Sequence, residues 1–153
     1  YFSAFASPAS LDPRFRDRDP GYVTTAPGTR GSPLFYNAGY FDSVVVDADE
    51  MFAKDTITAV ELGLFPVPLA DGTASGVEAP VLVVMGAKDS IFCGPIGGGD
   101  CSTPETIRAG ESRAYSNADV SAYVLADSGH CINMHRNAKD WFAAAESWLA
   151  AKV

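Results

Sequence analysis

The chain has 153 residues, of which 19 are acidic and 11 are basic, and its formal net charge is −8. This acidic balance argues against nucleic-acid binding, because phosphate recognition depends on clusters of Lys and Arg. No apolar run approaches the ~20 residues that a membrane-spanning helix needs, so we expect no membrane segment.

The first seventy residues are predicted to be mainly helical. Five prolines interrupt residues 1–34 and argue against long regular elements there. From residue 42 onward, apolar side chains recur at helical spacing, which predicts one or two amphipathic helices that end before Pro66 and Pro68. The apolar positions of this pattern are Ala48, Met51, Phe52, Ala59 and Leu62.

Residues 81–85 form an uninterrupted apolar run that is typical of a strand buried on both faces of a parallel sheet. Gly86 and Ala87 follow, and we expect them to let the backbone turn sharply. Asp89 would then lie just beyond the carboxyl end of the strand.

A second apolar run, residues 123–125, repeats this arrangement and leads to Gly129 and His130. In open α/β sheets the carboxyl edge is where ligands bind and chemistry takes place. We therefore expect the side chains of Asp89 and His130 to meet at one edge of the sheet.

Two helices complete a strand–helix–strand–helix order. Thr103 is a favourable N-cap and Pro104 a favourable first residue, so a helix is predicted from there to about Tyr115, crossing between the two strands. Residues 137–153 are rich in Ala and predict a closing helix that packs on the sheet. Its apolar stripe consists of Trp141, Phe142, Ala145, Trp148 and Leu149.

Cys93 and Cys101 bracket a glycine-rich loop, and we expect them to form a disulfide that stiffens it. The alternative is two free thiols. A bridge would indicate a secreted protein, and reduced thiols a cytoplasmic one. Cys131 is expected to be a buried apolar residue. No metal site is predicted from Cys93, Cys101, His130 and His135, because their spacing fits no common ligand pattern.

From its two strand units onward, the sequence resembles the C-terminal half of an α/β-hydrolase fold protein. That family carries its triad in the order nucleophile, acid, His, so Asp89 matches the acid and His130 the general base. The resemblance implies an α/β fold in which residues 71–153 are the C-terminal part of the catalytic domain, with two parallel strands and helices. It implies that residues 1–70 are a mainly helical cap that lies over the catalytic edge and lines the substrate pocket. The substrate-binding candidates are Phe35, Tyr36, Tyr40, Met51 and Phe52.

The nucleophile of that family is not found in this sequence. Ser112 lies in the segment most similar to the G-x-S-x-G elbow, which here has the form G-x-S-x-A. It falls in a predicted helix with no strand before it and is expected to be a surface residue. In that family the elbow, the oxyanion-hole loop and the earlier strands would come before the part that starts at Tyr1. Only two strands are convincing in this sequence, and two parallel strands alone do not make a stable sheet. We therefore expect an N-terminal complementary chain to supply the nucleophile and to complete the sheet.

The resemblance implies a hydrolase that cleaves an ester, lactone or amide bond of a small apolar or ester-type substrate by a Ser-His-Asp triad. It implies no cofactor and no metal. Two alternatives stay open. The same fold could use an Asp nucleophile, as in epoxide hydrolases and dehalogenases, or the chain could be a non-catalytic hydrolase-like binding protein.

Overall fold

A computed structural model describes residues 6–64, 72–94 and 98–152 and shows a mixed α/β chain with two small sheets. The first half holds an antiparallel sheet of three short strands, in which Ala6 pairs with Thr25 and Val23 pairs with Ile57. Its strands are β1 (Ala6–Pro8), β2 (Tyr22–Thr25) and β3 (Ile57–Thr58), and its helices are α1 (Ser43–Ala48), continued by a π-helical turn (Asp49–Ala53), and α2 (Ala59–Leu64).

Helices are present between residue 42 and Pro66, but four of their five predicted apolar positions are exposed: Ala48, Met51, Phe52 and Ala59. The mainly helical prediction for this half also missed the antiparallel sheet. Its strands have only two to four residues, too few for a period of two to be visible in the sequence. The predicted end of the last of these helices, before Pro66 and Pro68, and the predicted boundary between residues 70 and 71 lie outside the described residues.

A buried ion-pair network holds the turn after α1 in place. The side chain of Lys54 is fully buried, and its Nζ lies 3.0 Å from Asp12 Oδ2 and 2.8 Å from Glu50 Oε1. Arg14 donates to both oxygens of Asp12 and to the backbone carbonyls of Glu50 and Met51. Hydrogen bonds from Arg14, together with Lys54, hold the pKa of Asp12 well below its ordinary value, against the effect of its burial.

The second half contains the parallel pair of strands expected from the sequence. Strands β4 (Val81–Gly86) and β5 (Val120–Leu125) pair in parallel over their whole length, from Val81 opposite Val120 to Gly86 opposite Leu125. Helix α3 (Pro104–Glu111) connects them and contacts both. It begins as predicted, with Thr103 Oγ1 accepting a hydrogen bond from the N–H of Thr106. Helix α4 (Ala138–Lys152) closes the chain and also contacts both strands.

The core of this half lies between β4, β5 and α3, where Cys93, Cys101 and Ile107 are buried. The prediction that β4 is buried on both faces is wrong for the described residues, since residues 81–85 are all only partly buried. Within the described residues β4 pairs along one edge only. In α4, Phe142 and Leu149 are about half exposed, at 49% and 51%, so they do not belong to the sheet-facing stripe expected of them.

The segment from Pro33 to Asp42, in the first half of the chain, is held against the second half by hydrogen bonds from Ser90 and Arg136. Ser90 Oγ donates to the carbonyls of Pro33 and Leu34, at 2.6 and 3.0 Å. Further along, Arg136 binds the carboxylate of Asp42.

None of the described helices combines the length and the apolar character that crossing a membrane requires.

Candidate active site

Asp89 and His130 are in direct contact at the carboxyl edge of the parallel strands. His130 Nδ1 lies 2.9 Å from Asp89 Oδ2, although 41 positions separate the two residues in sequence. The contact follows from the register, because β4 and β5 end at paired residues and each side chain follows its strand by a few positions. The carboxylate of Asp89 is 2% exposed, whereas the imidazole of His130 is 27% exposed.

The loop after β4 orients the carboxylate of Asp89. Its Oδ1 accepts hydrogen bonds from the backbone N–H groups of Ile91 and Phe92, at 2.7 and 3.0 Å, which leaves Oδ2 for His130. Burial by itself would raise the pKa of Asp89. The hydrogen bonds from His130 and from the two backbone N–H groups outweigh burial and leave the pKa below its ordinary value. The group is therefore a carboxylate at neutral pH.

The tautomer of His130 follows from this partner. A carboxylate only accepts hydrogen bonds, so Nδ1 of His130 carries the proton and Nε2 presents a lone pair. Among the described residues Nε2 has no hydrogen-bond partner. The rings of Phe92 and Phe35 pack against the imidazole, with centroids 5.1 and 5.8 Å away. The pair can thus accept a proton at Nε2 while its orientation is held by Asp89 and two aromatic rings.

The backbone of the His130 loop packs closely on two other segments. A Cβ atom added to Gly86 would collide with the carbonyl oxygens of Ser128 and Gly129, and one added to Gly129 would lie 2.9 Å from the backbone of Phe35 and Asn37. The sequence predicts a sharp turn at Gly86. The structure gives another reason for the glycine, which is close approach at an ordinary φ at the end of β4.

His135 is a site residue whose role the sequence does not predict, since the only role weighed for it, that of a metal ligand, was not supported by its spacing. It is 4% exposed. Its Nδ1 donates to the carbonyl of Cys131, and its Nε2 accepts the backbone N–H groups of Gly129 and Asn37. The spacing between His130 and His135 carries no signal of this role, because one of its partners comes from the first half of the chain.

Of the five substrate-binding candidates, Phe35 touches His130, and it also lines a cavity of about 310 Å³ beside the antiparallel sheet. Tyr36 is 1% exposed and packs between other rings, so it is a core residue here. The remaining three are exposed, and their role in substrate binding stays a prediction. These are Tyr40, Met51 and Phe52.

The cavity beside Phe35 is walled mainly by apolar side chains, among them Val23, Leu34 and Ile57. Arg30 reaches it with its guanidinium over the Phe35 ring, 4.7 Å from the centroid. The charge of Arg30 is already paired, because the guanidinium donates to both oxygens of Asp49 at 2.9 and 2.8 Å. The cavity therefore fits a small apolar group better than an anion.

The structure confirms the predicted disulfide, whereas Cys131, expected to be buried, is only partly buried. Cys93 and Cys101 are at bonding distance, with Cα atoms 5.8 Å apart, which confirms the predicted disulfide. Cys131 is a free thiol. Burial, aided by the nearby Asp49, raises its pKa to about 11, so it is a thiol at neutral pH and not an activated nucleophile.

Ser112 lies at the C-terminal end of α3, and its N–H donates to the carbonyl of Arg108. It is exposed, and among the described elements no strand leads into it.

In the part of the chain that the structure describes, no three acidic, His or Cys side chains are grouped so as to hold a metal ion.

Comparison of the sequence with protein-family models and with curated proteins produced no match.

Proposed function

We propose that this chain is the acid- and base-bearing part of a hydrolase that cleaves an ester, lactone or amide bond with a Ser-His-Asp triad. The observation that carries the proposal is the Asp89–His130 contact at the carboxyl edge of the parallel strands. A buried, ionised carboxylate that orients an accessible imidazole is the acid–base part of such a triad. The attacking serine would come from a complementary chain.

The proposed reaction uses the two ends of the imidazole for different tasks. The serine hydroxyl attacks the substrate carbonyl while its proton passes to Nε2 of His130, giving an imidazolium and a tetrahedral intermediate. Asp89 stabilises the imidazolium through the Nδ1–H hydrogen bond. His130 then returns the proton to the leaving alcohol or amine, and the acyl-enzyme forms. Water attacks the acyl-enzyme by the same route and restores the serine.

The exposed edge of β4 supports a complementary chain. Along this strand, a cavity of about 570 Å³ is lined by residues 81–85, Ile107 and Tyr115. In the described part of the chain no strand pairs with the other edge of β4, and its Val, Leu and Met side chains are partly buried. Another strand can add to an edge of this kind. We propose that the complementary chain pairs here and brings its serine to the edge where His130 lies.

The cavity beside Phe35 supports a small apolar acyl or alcohol group as the substrate moiety. It shares the Phe35 ring with the imidazole of His130. A bond that reacts next to His130 would leave its apolar substituent within reach of this cavity.

The test is labelling with a fluorophosphonate probe, which reacts with activated serines. The 153-residue chain is purified with any polypeptide that stays bound to it, and intact mass identifies the labelled chain. We expect the label on a companion chain, loss of labelling in His130→Ala, and at least about a hundredfold slower labelling in Asp89→Asn. The Asn side chain would donate to Nδ1 and shift the His130 proton to Nε2, the nitrogen that must accept.

The matched control is Asp119→Asn, since Asp119 is exposed and lies on the surface as a partner of Lys152. It should label at the wild-type rate. Labelling that persists in His130→Ala, or that falls on Ser112, would refute the proposal. A covalent adduct formed from an epoxide or haloalkane on an aspartate of the companion chain, detected by intact mass, would instead establish the alternative with an Asp nucleophile.

A further inference from the structure

We propose that His135 is a positioning residue, whose neutral imidazole holds the backbone on both sides of His130 and releases it when Nε2 is protonated. The hydrogen bonds that His135 makes to the loop do not depend on the proposed hydrolase function. Only the effect of these bonds on catalysis rests on that function.

One imidazole contacts the residues before and after His130. His135 Nε2 accepts the N–H of Gly129 at 3.0 Å, and Nδ1 lies 2.9 Å from the carbonyl of Cys131. A carbonyl oxygen only accepts, so Nδ1 carries the proton and Nε2 is the acceptor. The loop that carries His130 is therefore tied to a single buried side chain at two points.

The same ring joins this loop to the first half of the chain. Nε2 of His135 also accepts the N–H of Asn37 at 3.1 Å. The N–H of Cys131 in turn donates to the carbonyl of Phe35 at 2.9 Å. Phe35 is one of the two rings that pack on His130. The orientation of His130 thus depends on a segment that His135 holds in place.

This arrangement works in one charge state only. A proton on Nε2 would face two N–H donors and no acceptor, so both hydrogen bonds would be lost together. Among the described residues, the titratable residues in contact with the ring are Tyr36, whose ring centroid is 5.6 Å away, and Cys131, whose backbone carbonyl accepts the Nδ1–H. Burial raises the pKa of both, so both are neutral at physiological pH.

No carboxylate within the described residues forms an ion pair with His135 that could compensate its positive charge. Burial lowers the pKa of His135 below its ordinary value, although the hydrogen bond to Cys131 opposes this. The neutral form is therefore the native form at pH 7. Acidification must break the contacts to Gly129 and Asn37 before the ring can hold a second proton.

The test is a pH titration by NMR of the uniformly ¹⁵N-labelled 153-residue chain. We expect neutral His135 to carry its proton on Nδ1. As His135 takes up a proton, the hydrogen-bonded Nδ1–H signal of His130 should disappear in step with it, together with the native amide signals of Gly129 and Asn37. Protonation of His135 with these signals unchanged would overturn the inference.

Two variants separate the charge effect from packing. His135→Gln places an amide oxygen close to the position of Nε2 and does not titrate, so its His130 signal should survive to a pH at least about one unit lower. His135→Leu fills the space without an acceptor, and its His130 signal should be about tenfold weaker even at pH 7. The control Asn117→Leu removes a side-chain bond to the carbonyl of Ser75, remote from the loop, and should behave as wild type.

The inference is overturned if the His130 Nδ1–H signal disappears at the same pH in wild type and in His135→Gln. This holds even if the whole chain unfolds at that pH. None of these measurements needs a substrate, and each is made on the 153-residue chain as purified, together with any polypeptide that stays bound to it. A chain that shows no hydrolase activity can therefore still pass this test, and a chain with activity can still fail it.

Discussion

Gly86, the last residue of β4, lies so close to the carbonyl of Gly129 that no side chain fits between them. This approach holds the end of the strand that leads to Asp89 against the loop that carries His130. The glycine is required by lack of space and not by an unusual φ.

Replacement of Gly86 by Ala should therefore lower the free energy of unfolding by about 2 to 4 kcal/mol. The neighbours that must move are backbone atoms, which cannot shift without separating Asp89 from His130. Urea unfolding measures the loss. The matched control is Gly110→Ala in α3, where a Cβ atom would meet nothing within 4 Å, and it should stabilise by up to about 1 kcal/mol. Equal effects of the two substitutions would contradict the close-packing argument.

Lys54→Met should destabilise the first half of the chain by about 2 to 4 kcal/mol, because it leaves the partly buried Glu50 without its cation. Asp12 keeps Arg14 as a partner, which limits the loss. The control Lys152→Met removes an exposed ion pair with Asp119 and should change the free energy of unfolding by less than about 1 kcal/mol. Thermal and urea unfolding compare the two, and a loss no larger than that of the control would be evidence against the network.

Asp89→Asn should lower the free energy of unfolding by about 1 to 3 kcal/mol at pH 7. Because the folded pKa of Asp89 is lowered from 3.8, the folded protein binds the proton less readily than the unfolded chain. The contribution is thus complete above about pH 4 and is lost as the pH falls through the lower, folded pKa. Urea titrations should show the same gap between wild type and variant at pH 7 and pH 5 and a smaller gap at pH 3. A gap at pH 3 as large as the gap at pH 7 would disagree.

Reduction of the Cys93–Cys101 disulfide should cost about 2 to 3 kcal/mol, as expected for a closed loop of this length. The sulfurs also belong to the core cluster with Ile107, so hydrogen exchange at the start of α3 should quicken. Without reductant, iodoacetamide should modify Cys131 alone, and slowly, because burial raises its pKa to about 11. Rapid alkylation of three cysteines in the native protein would disprove the bridge.

The strands and helices of the second half could be predicted because their signals are local. The apolar run before Gly86 and the cap formed by Thr103 and Pro104 are complete within a few residues. The antiparallel sheet of the first half could not be predicted, because its strands are short and Val23 finds its partner Ile57 far along the chain. The partial burial of β4 was also missed, since an apolar run reveals what a strand prefers and not what covers it.

The amino-acid sequence by itself determined that Asp89 and His130 follow two neighbouring parallel strands, and so that they share one edge. Only the tertiary structure decided how the His130 loop is held. The ring of His135 binds Asn37, 98 positions earlier, and Gly86 has no room for a side chain. Both depend on which distant backbone groups meet, and chain folding brings those groups together without leaving a pattern in the neighbouring residues.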